Sequence, residues 1–256
     1  MDHKDSIIQT KQSFEASFEA SSFYNKQTRD ENHLEKILSL LPIKSKTKIL
    51  DLGTGTGFLA FPLAQKYVTT TIIGLDIVDK ALNQNAQKAK SLGLNNLFFI
   101  NYDGETFPFD DNSFDMIITR YALHHFPAIE DTFSEINRVL KNDGIFFLSD
   151  PAPNDDDTER FVDEYMQMKK DGHIKFYTKQ EWLDLGIKFN LHYKDGFKTS
   201  IRFPKKKETA LEFNDIISRH KKHIVKGYEI EITDDEIWIT EKVNNLLFQK
   251  NEANNQ

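Results

Sequence analysis

The sequence predicts an α/β fold in which helices cover both faces of a mostly parallel sheet. Three observations support this: strand and helix patterns alternate, a glycine-rich turn follows the first strand, and acidic residues end several strands. The strand patterns fall at 47–52, 70–77, 97–102, 114–120 and 144–150, and the helical patterns at 31–41, 57–67, 78–92, 128–140 and 157–170. A chain of 256 residues can bury a sizeable core in one such domain, so no second domain is required.

The first strand runs into three glycines at alternate positions. The segment reads Lys48-Ile-Leu-Asp-Leu-Gly-Thr-Gly-Thr-Gly-Phe58. Because glycine has no Cβ, the chain can turn sharply at Gly53, Gly55 and Gly57 and let a ligand lie against backbone N–H groups before a helix begins at Phe58. The sequence therefore predicts a nucleotide-like ligand.

The glycine spacing leaves two cofactor classes open. Counted from Gly55, the dinucleotide pattern G-x-G-x-x-G is met in its permissive form, with Ala60 last. That register puts Asp51 and Gly53 inside a strand buried on both faces, where an unpaired carboxylate is costly and a glycine weakens the strand. Counted from Gly53, the strand ends near Leu52, and Asp51 points into the ligand crevice of an open sheet. An NAD-dependent oxidoreductase remains the alternative under the count from Gly55.

Acidic residues also end the next two predicted strands. Asp76 ends the second strand and could accept hydrogen bonds from two ribose hydroxyls. Asp103, which precedes Gly104, ends the third strand and could take an exocyclic amine such as that of adenine. Together with Asp51, these carboxylates suit a ligand with a cationic ammonium group, a ribose diol and an adenine. S-adenosylmethionine has all three.

In these segments the chain resembles the class I S-adenosylmethionine-dependent methyltransferases, and among them the small-molecule branch that includes the ubiquinone/menaquinone biosynthesis methyltransferases. The resemblance covers residues 30 to 152, and its segments are Ile49–Gly57, Gly74–Ile77, Asn101–Asp110, Ser113–Arg120 and Glu135–Gly144. It implies a Rossmann-like fold with a seven-stranded sheet, and methyl transfer that leaves S-adenosylhomocysteine as product. The residues predicted to bind the cofactor are Asp51, Gly53, Thr54, Gly55, Gly57, Asp76, Ile77, Asp103, Gly104, Arg120 and Tyr24.

The pattern changes after Phe176. It predicts a short helix, a strand, a second helix and two more strands, at 178–185, 188–203, 207–221, 228–233 and 236–249. We interpret these as an antiparallel hairpin with a helical insertion, and the resemblance implies that the last strand lies beside the fifth. The chain then divides into an N-terminal helical lid (1–46), a cofactor-binding core (47–152) and a substrate-side cap with the final strands (153–256).

Aromatic residues in the first thirty positions have near-helical spacing. They are Phe14, Phe18, Phe23 and Tyr24. Such a stripe more often packs in a core than covers a ligand. The alternative is that this helix closes over the cofactor, with Tyr24 at the methionine end, as N-terminal segments do in similar methyltransferases.

Two adjacent histidines follow the fourth strand. Methyl transfer from a sulfonium is an in-line displacement that needs alignment and exclusion of water but no enzyme nucleophile. An acceptor hydroxyl, thiol or activated carbon must also lose a proton, which a histidine can accept near neutral pH. His124 and His125 are the candidates, although a histidine pair after a strand commonly caps or packs on the next helix. We predict no metal site, because no third ligand is evident beside this pair.

Composition excludes several functional classes. The net charge of −7 does not favour tracking of a nucleic acid backbone, so an RNA methyltransferase is a weak alternative. The chain has no cysteine, which excludes disulfides, thiolate metal sites and a cysteine nucleophile. No apolar stretch of signal-peptide or membrane-spanning type is evident, so we expect a cytoplasmic protein that acts on a small molecule. A non-catalytic cofactor-binding module also remains possible, and the sequence leaves the oligomeric state open.

Overall fold

The fold is built on one twisted, mostly parallel sheet. A computed structural model describes residues 3–19, 30–168, 171–206 and 210–251. The strands are β1 (Lys48–Leu52), β2 (Thr71–Asp76), β3 (Leu97–Asn101), β4 (Phe114–Arg120), β5 (Leu140–Ala152), β6 (Leu191–Lys206), β7 (Glu231–Ile232) and β8 (Glu236–Lys250). Their order is β3-β2-β1-β4-β5-β8-β6, with β7 paired to β8.

The sheet confirms the predicted topology. Strands β1 to β5 pair in parallel, whereas β8 is antiparallel to both β5 and β6. The last long strand therefore lies beside the fifth, as the resemblance implied. The two-residue strand β7 adds an eighth strand to the seven that were expected.

Helices cover both faces of the sheet. In chain order the described α-helices are α1 (His3–Glu19), α2 (Glu31–Leu40), α3 (Ala60–Lys66), α4 (Asp79–Ser91), α5 (Ile129–Val139), α6 (Phe161–Gln167), α7 (Lys179–Lys188), α8 (Ala210–Arg219) and α9 (Lys222–Gly227). Leu50 of β1 packs in one buried cluster with Phe133 of α5 and Trp182 of α7. Its neighbour Ile49 packs in another with residues of α2, α3 and α4, because successive strand residues point to opposite faces.

A third buried cluster supports the C-terminal cap. It joins α6, α8 and α9 to β8 through large apolar side chains, which are Phe161, Tyr165, Phe213, Ile224, Ile237 and Ile239. The hydroxyl of Tyr228, the residue after α9, donates to Asp157 Oδ2 at 2.7 Å and receives a hydrogen bond from the backbone N–H of Asn154. The cap is thus fixed to the segment that follows β5.

Several predicted boundaries differ from the structure. The helix after the glycine loop begins at Ala60 rather than near Phe58, and Pro62 fits in its first turn, where no intrahelical N–H bond is required. The predicted helix at 207–221 corresponds to α8, and a second, unpredicted helix, α9, follows it. The fifth strand begins at Leu140 rather than at Gly144, and it includes a left-handed residue, Asp143, with a φ of 58°.

Two polar residues in the segments that carry the resemblance make structural contacts. Asp115, at the start of β4, accepts hydrogen bonds from the backbone N–H of Lys48 and from Lys141 Nζ. Arg138 of α5 donates to Glu135 and to the carbonyl oxygens of Phe107 and Phe109. Within the described ranges, no helix is long and apolar enough to cross a membrane.

Candidate functional site

A cleft opens at the carboxyl ends of β1, β2 and β4, where open α/β sheets bind ligands. It encloses about 150 Å³, and α1 lies against it from outside the sheet. The residues that line it are Ile7, Thr10, Phe14, Gly53, Thr54, Gly55, Thr56, Phe58, Asp76, Ile77, Val78, Tyr102, Gly104, Arg120, Tyr121, Ala122, His125, Phe126 and Pro127.

The glycine loop forms the floor of the cleft. Strand β1 ends at Leu52, and the N–H groups of Gly53 and Thr54 donate to the carbonyl oxygen of Leu75 at 2.8 and 3.1 Å. Gly53 has a φ of 66°, and a Cβ there would lie 2.5 Å from the Cβ of Ala122. Both the left-handed backbone and the close approach require glycine. The loop therefore begins at Gly53, as in the first register of the sequence analysis.

Asp76 lies opposite the glycine loop. Its carboxylate accepts hydrogen bonds from the backbone N–H of Gly55 at 2.8 Å and of Val78 at 3.0 Å. Burial raises the pKa of this carboxyl, and the backbone hydrogen bonds act in the opposite direction. A carboxylate has about four lone-pair positions, so it can accept further hydrogen bonds from a ligand in the cleft.

The carboxylate of Asp51 is held under the loop. It accepts a hydrogen bond from Thr54 Oγ1 at 2.7 Å, and it is not among the lining groups. Burial, assisted by the nearby charge of Asp76, raises the pKa of Asp51 to about 7 against the opposing effect of the hydrogen bond from Thr54. Gly57 also lies outside the lining, and a Cβ there would meet the ring of Phe61 at 2.6 Å.

Asp103 makes a turn instead of lining the cleft. Its Oδ1 accepts hydrogen bonds from the backbone N–H groups of Glu105 and Thr106 at 2.8 and 2.9 Å, and these lower its pKa. The neighbouring residues Tyr102 and Gly104 face the cleft in its place. Of the three predicted carboxylates, the structure thus places Asp76 in the lining and the other two beside it.

Arg120 ends β4 with its guanidinium in the cleft. The guanidinium carbon lies 3.9 Å from the ring centres of both Phe58 and Tyr121, so the cation is stacked between two aromatic faces. The side chain and not only the backbone of Arg120 therefore belongs to the site.

The two predicted histidines have different surroundings. His125 lines the cleft, is 6% exposed, and neither ring nitrogen has a hydrogen-bond partner among the described residues. Burial and the adjacent His124 lower the pKa of His125 to about 3, so the ring is neutral at physiological pH. His124 lies behind it, with Nδ1 2.9 Å from Asp150 Oδ1. Burial raises the pKa of Asp150 to about 8.

Helix α1 contacts both ends of the cleft. Ile7 packs against Gly104, and the ring of Phe14 lies edge-on to His125 with centres 5.1 Å apart. Lys11 Nζ pairs with Asp79 Oδ2 at 2.6 Å across the outside of the cleft. The predicted contact of Tyr24 lies outside the described residues, as do Phe23 and the side chain of Phe18.

Comparison with known proteins gives the family. Residues 43–195, more than half of the chain, match the family model described as a methyltransferase domain. The chain belongs to this methyltransferase family. It is 33% identical to the methyltransferase YcgJ of Bacillus subtilis over 59% of its own length and 60% of the relative's. It is 36% identical to the ubiquinone/menaquinone biosynthesis C-methyltransferase of Blochmanniella pennsylvanica over 40% of its own length and 41% of the relative's.

The fold of this family member agrees with solved structures. The crystal structure of Bacillus subtilis YcgJ superimposes with a TM-score of 0.75 and 24% identity, covering 88% of this chain and all of that one. The sequence matches span less than two thirds of the two curated relatives named above. Family membership and the position of Gly53 both favour the register counted from Gly53 over the dinucleotide alternative.

Sequence reasoning missed part of the lining. Phe58, Tyr102, Tyr121 and Phe126 face the cleft, but aromatic residues at such positions read equally well as core. Tyr121 has a φ of 55°, which is unusual for a tyrosine, but this is a property of the folded backbone and cannot be read from the sequence. Among the described residues, no group of three or more histidine or acidic side chains could hold a metal ion.

Proposed function

We propose that this family member transfers a methyl group from S-adenosylmethionine to a small-molecule acceptor and releases S-adenosylhomocysteine. The observation that carries the proposal is the pairing of Asp76 with the glycine loop. A buried carboxylate, fixed by the Gly55 and Val78 amides, faces a floor of backbone groups at the carboxyl edge of a parallel sheet. This arrangement suits a nucleoside with a free ribose diol.

The cleft residues fit the rest of that ligand. Ile77, Tyr102 and Gly104 form a mostly apolar end that suits an adenine, with Asp103 beside it. The stacked guanidinium of Arg120 suits a carboxylate, and the faces of Phe58 and Tyr121 suit neighbouring cationic charge. Asp51, under the loop, would favour a nearby ammonium group once ionised. The bound sulfonium would supply the methyl group as an electrophile.

His125 is the residue that we place against the acceptor. Its neutral ring can accept a hydrogen bond from the atom to be methylated, and this would orient that atom and draw away its proton. A pKa near 3 makes His125 a weak base, so orientation is its main contribution. His124 holds the pair in place through Asp150. The rings of Phe14 and Phe126 would exclude water from this end.

The small-molecule class rests on the relatives and on charge. The relative from Blochmanniella pennsylvanica is named for ubiquinone and menaquinone biosynthesis. A net charge of −7 argues against an RNA substrate. We keep the division into a helical lid (1–46), a core (47–152) and a cap (153–256), the Tyr24 contact and a cytoplasmic location as parts of the proposal.

Calorimetric titration with S-adenosylmethionine, S-adenosylhomocysteine and NAD tests the cofactor. We expect the two sulfur nucleosides to bind and NAD not to bind. Asp76→Ala should weaken binding of both nucleosides by about 10- to 100-fold, because a charged hydrogen-bond partner of the ribose is lost. Asp155→Ala is the control, since that side chain is 81% exposed and does not line the cleft. Binding of NAD alone, or unchanged affinity in a folded Asp76→Ala protein, would contradict the proposal.

Methyl transfer itself needs a separate assay. Transfer of a labelled methyl group from S-adenosylmethionine to a panel of small molecules, followed by mass spectrometry, would identify the acceptor. Cofactor binding without transfer to any acceptor would favour the alternative of a cofactor-binding module that does not methylate.

A further inference from the structure

A hydrogen-bond network outside the cleft begins at Asn245 of β8. This side chain is fully buried, and its Nδ2 group is 3.1 Å from Thr199 Oγ1 and 3.3 Å from the carbonyl oxygen of Phe197, both on β6. A third acceptor, the carbonyl oxygen of Val243, lies at 3.4 Å. Only the amide nitrogen can donate to carbonyl oxygens, so the orientation of the amide is fixed. Its Oδ1 is left as an acceptor that points away from β6.

That oxygen determines the tautomer of His33. Nε2 of His33, on α2, lies 2.7 Å from Asn245 Oδ1 in a contact that is 2% exposed on the histidine side. Because Oδ1 can only accept, Nε2 must carry the proton. Burial, assisted by the nearby charge of Arg120, lowers the pKa of His33 to about 4 against the opposing effect of Asn245, so the ring is neutral. Nδ1 therefore presents a lone pair.

The lone pair faces two donors from the cleft. Tyr121 Oη lies 3.4 Å and Arg120 Nη2 lies 3.5 Å from His33 Nδ1. These distances are at the long end for hydrogen bonds, so each contact is weak by itself. The guanidinium is nevertheless confined on its two faces by Phe58 and Tyr121. The two rings leave the position of the guanidinium edge undetermined, and His33 adds a contact at that edge.

The same geometry excludes the other forms of the ring. A proton on Nδ1 alone would leave Nε2 as an acceptor against the acceptor Asn245 Oδ1, and it would turn a donor toward the guanidinium of Arg120, which can only donate. A doubly protonated ring would place two cations side by side in a buried setting, which is costly. Only the neutral Nε2–H form satisfies Asn245 and the cleft residues together.

We propose that His33 is a positioning residue for the cofactor cleft, which links the fixed amide of Asn245 to Arg120 and so sets where the guanidinium meets a ligand carboxylate. The inference rests on the proposed function, in which that carboxylate belongs to the amino-acid end of the cofactor. The C-terminal hairpin of β6 and β8 would then help to define a site formed mainly by β1, β2 and β4.

Two ligands separate positioning from general support of the fold. S-adenosylhomocysteine has the amino-acid carboxylate, whereas 5′-methylthioadenosine has the same nucleoside without it. We expect His33→Leu to weaken binding of S-adenosylhomocysteine by about tenfold, the loss of one modest interaction, and to leave 5′-methylthioadenosine unchanged in calorimetry. Arg120→Ala should show the same selectivity. The double variant should lose little more than Arg120→Ala alone, because His33 acts through Arg120.

His192→Leu provides the matched control. His192 lies exposed on β6, away from the cleft, and the substitution should change neither affinity. Equal losses for both ligands in His33→Leu, or no loss for either, would overturn the positioning role and leave the proposed function intact. Failure of the unmodified protein to bind either ligand would instead contradict the proposed function.

Nitrogen NMR tests the tautomer directly in the unmodified protein. With 15N-labelled histidine, the His33 signals should show a protonated Nε2 and an unprotonated Nδ1 at neutral pH. Their assignment can come from Asn245→Asp or from the signals lost in His33→Leu. A protonated Nδ1 would overturn the inference.

Discussion

The two ends of the cleft satisfy their polar groups in opposite ways. At the end that we propose for the cofactor, Asp76 accepts from the amides of Gly55 and Val78, and the amides of Gly53 and Thr54 are bonded to Leu75. At the end that we propose for the methyl acceptor, His125 is buried with neither ring nitrogen bonded to a described residue. A buried polar group without a partner is costly. The cofactor end is therefore preformed by the backbone, whereas the acceptor end has groups that a bound molecule could satisfy.

The largest expected effect on cofactor affinity tests whether the cofactor end is rigid. Gly53→Ala should weaken S-adenosylmethionine binding by about 100-fold, because its Cβ would lie 2.5 Å from Ala122 and the loop must move. Gly93→Ala is a matched control: Gly93 has nearly the same φ, 67°, but nothing within 4 Å of the added Cβ. It should lose about 1 kcal/mol of stability from backbone strain and keep its affinity. Calorimetry with thermal unfolding would measure both effects.

This contrast shows what the sequence could predict. The positive φ and the close approach at Gly53 demand glycine, so the loop was predictable from the sequence. The parallel strands were predictable from the alternating pattern, and the place of β8 was predictable from the family resemblance. Asp51 and Asp103 were correctly placed at strand ends, but their side-chain directions depend on Thr54 and on the turn at 103–106. The role of His125 depends on contacts with α1 that are distant in sequence. No local pattern encodes those contacts.

A second prediction tests the acceptor end alone. His125→Phe should lower kcat for methyl transfer by about 100-fold, because the acceptor atom loses the hydrogen bond that orients it, and should leave cofactor affinity unchanged. The phenyl ring keeps the packing against Phe14 but has no lone pair. His192→Phe makes the same change at an exposed position. Unaltered kcat in the His125 variant would remove this residue from the reaction.

Helix α1 joins the two ends, and its removal should have a smaller effect. Deletion of residues 1–28 should weaken cofactor binding by about tenfold, since Ile7, Thr10 and Phe14 line the cleft. The melting temperature should change little, because none of the described side chains of α1, at residues 3–16, belongs to the three buried apolar clusters. Calorimetry and thermal unfolding on the same sample would compare the change in cofactor affinity with the change in melting temperature. A large fall in stability with unchanged affinity would make α1 a structural element and not a lid.

The smallest expected effect concerns pH. Asp51 has its pKa raised to about 7, so it is partly protonated at neutral pH in the ligand-free protein. A cationic ligand favours the ionised carboxylate, so binding should release a proton below pH 7 and tighten a few-fold as the pH rises from 6 to 8. The stability of the free protein changes in the opposite direction. Between about pH 4 and 7 the folded state holds the proton on Asp51 and the unfolded state does not, so the free energy of unfolding falls as the pH rises. Titration of Asp51→Asn across this range should show a flat affinity.

The interior position of β8 has a consequence for incomplete chains. This strand fills the gap between β5 and β6 and pairs with residues about a hundred positions earlier in the chain. A nascent or truncated polypeptide that stops before Glu236 would leave the apolar edge of β5 unpaired, and such edges recruit strands from other molecules. We therefore expect C-terminal truncations that lack β8 to aggregate, because a late strand lies in the middle of the sheet.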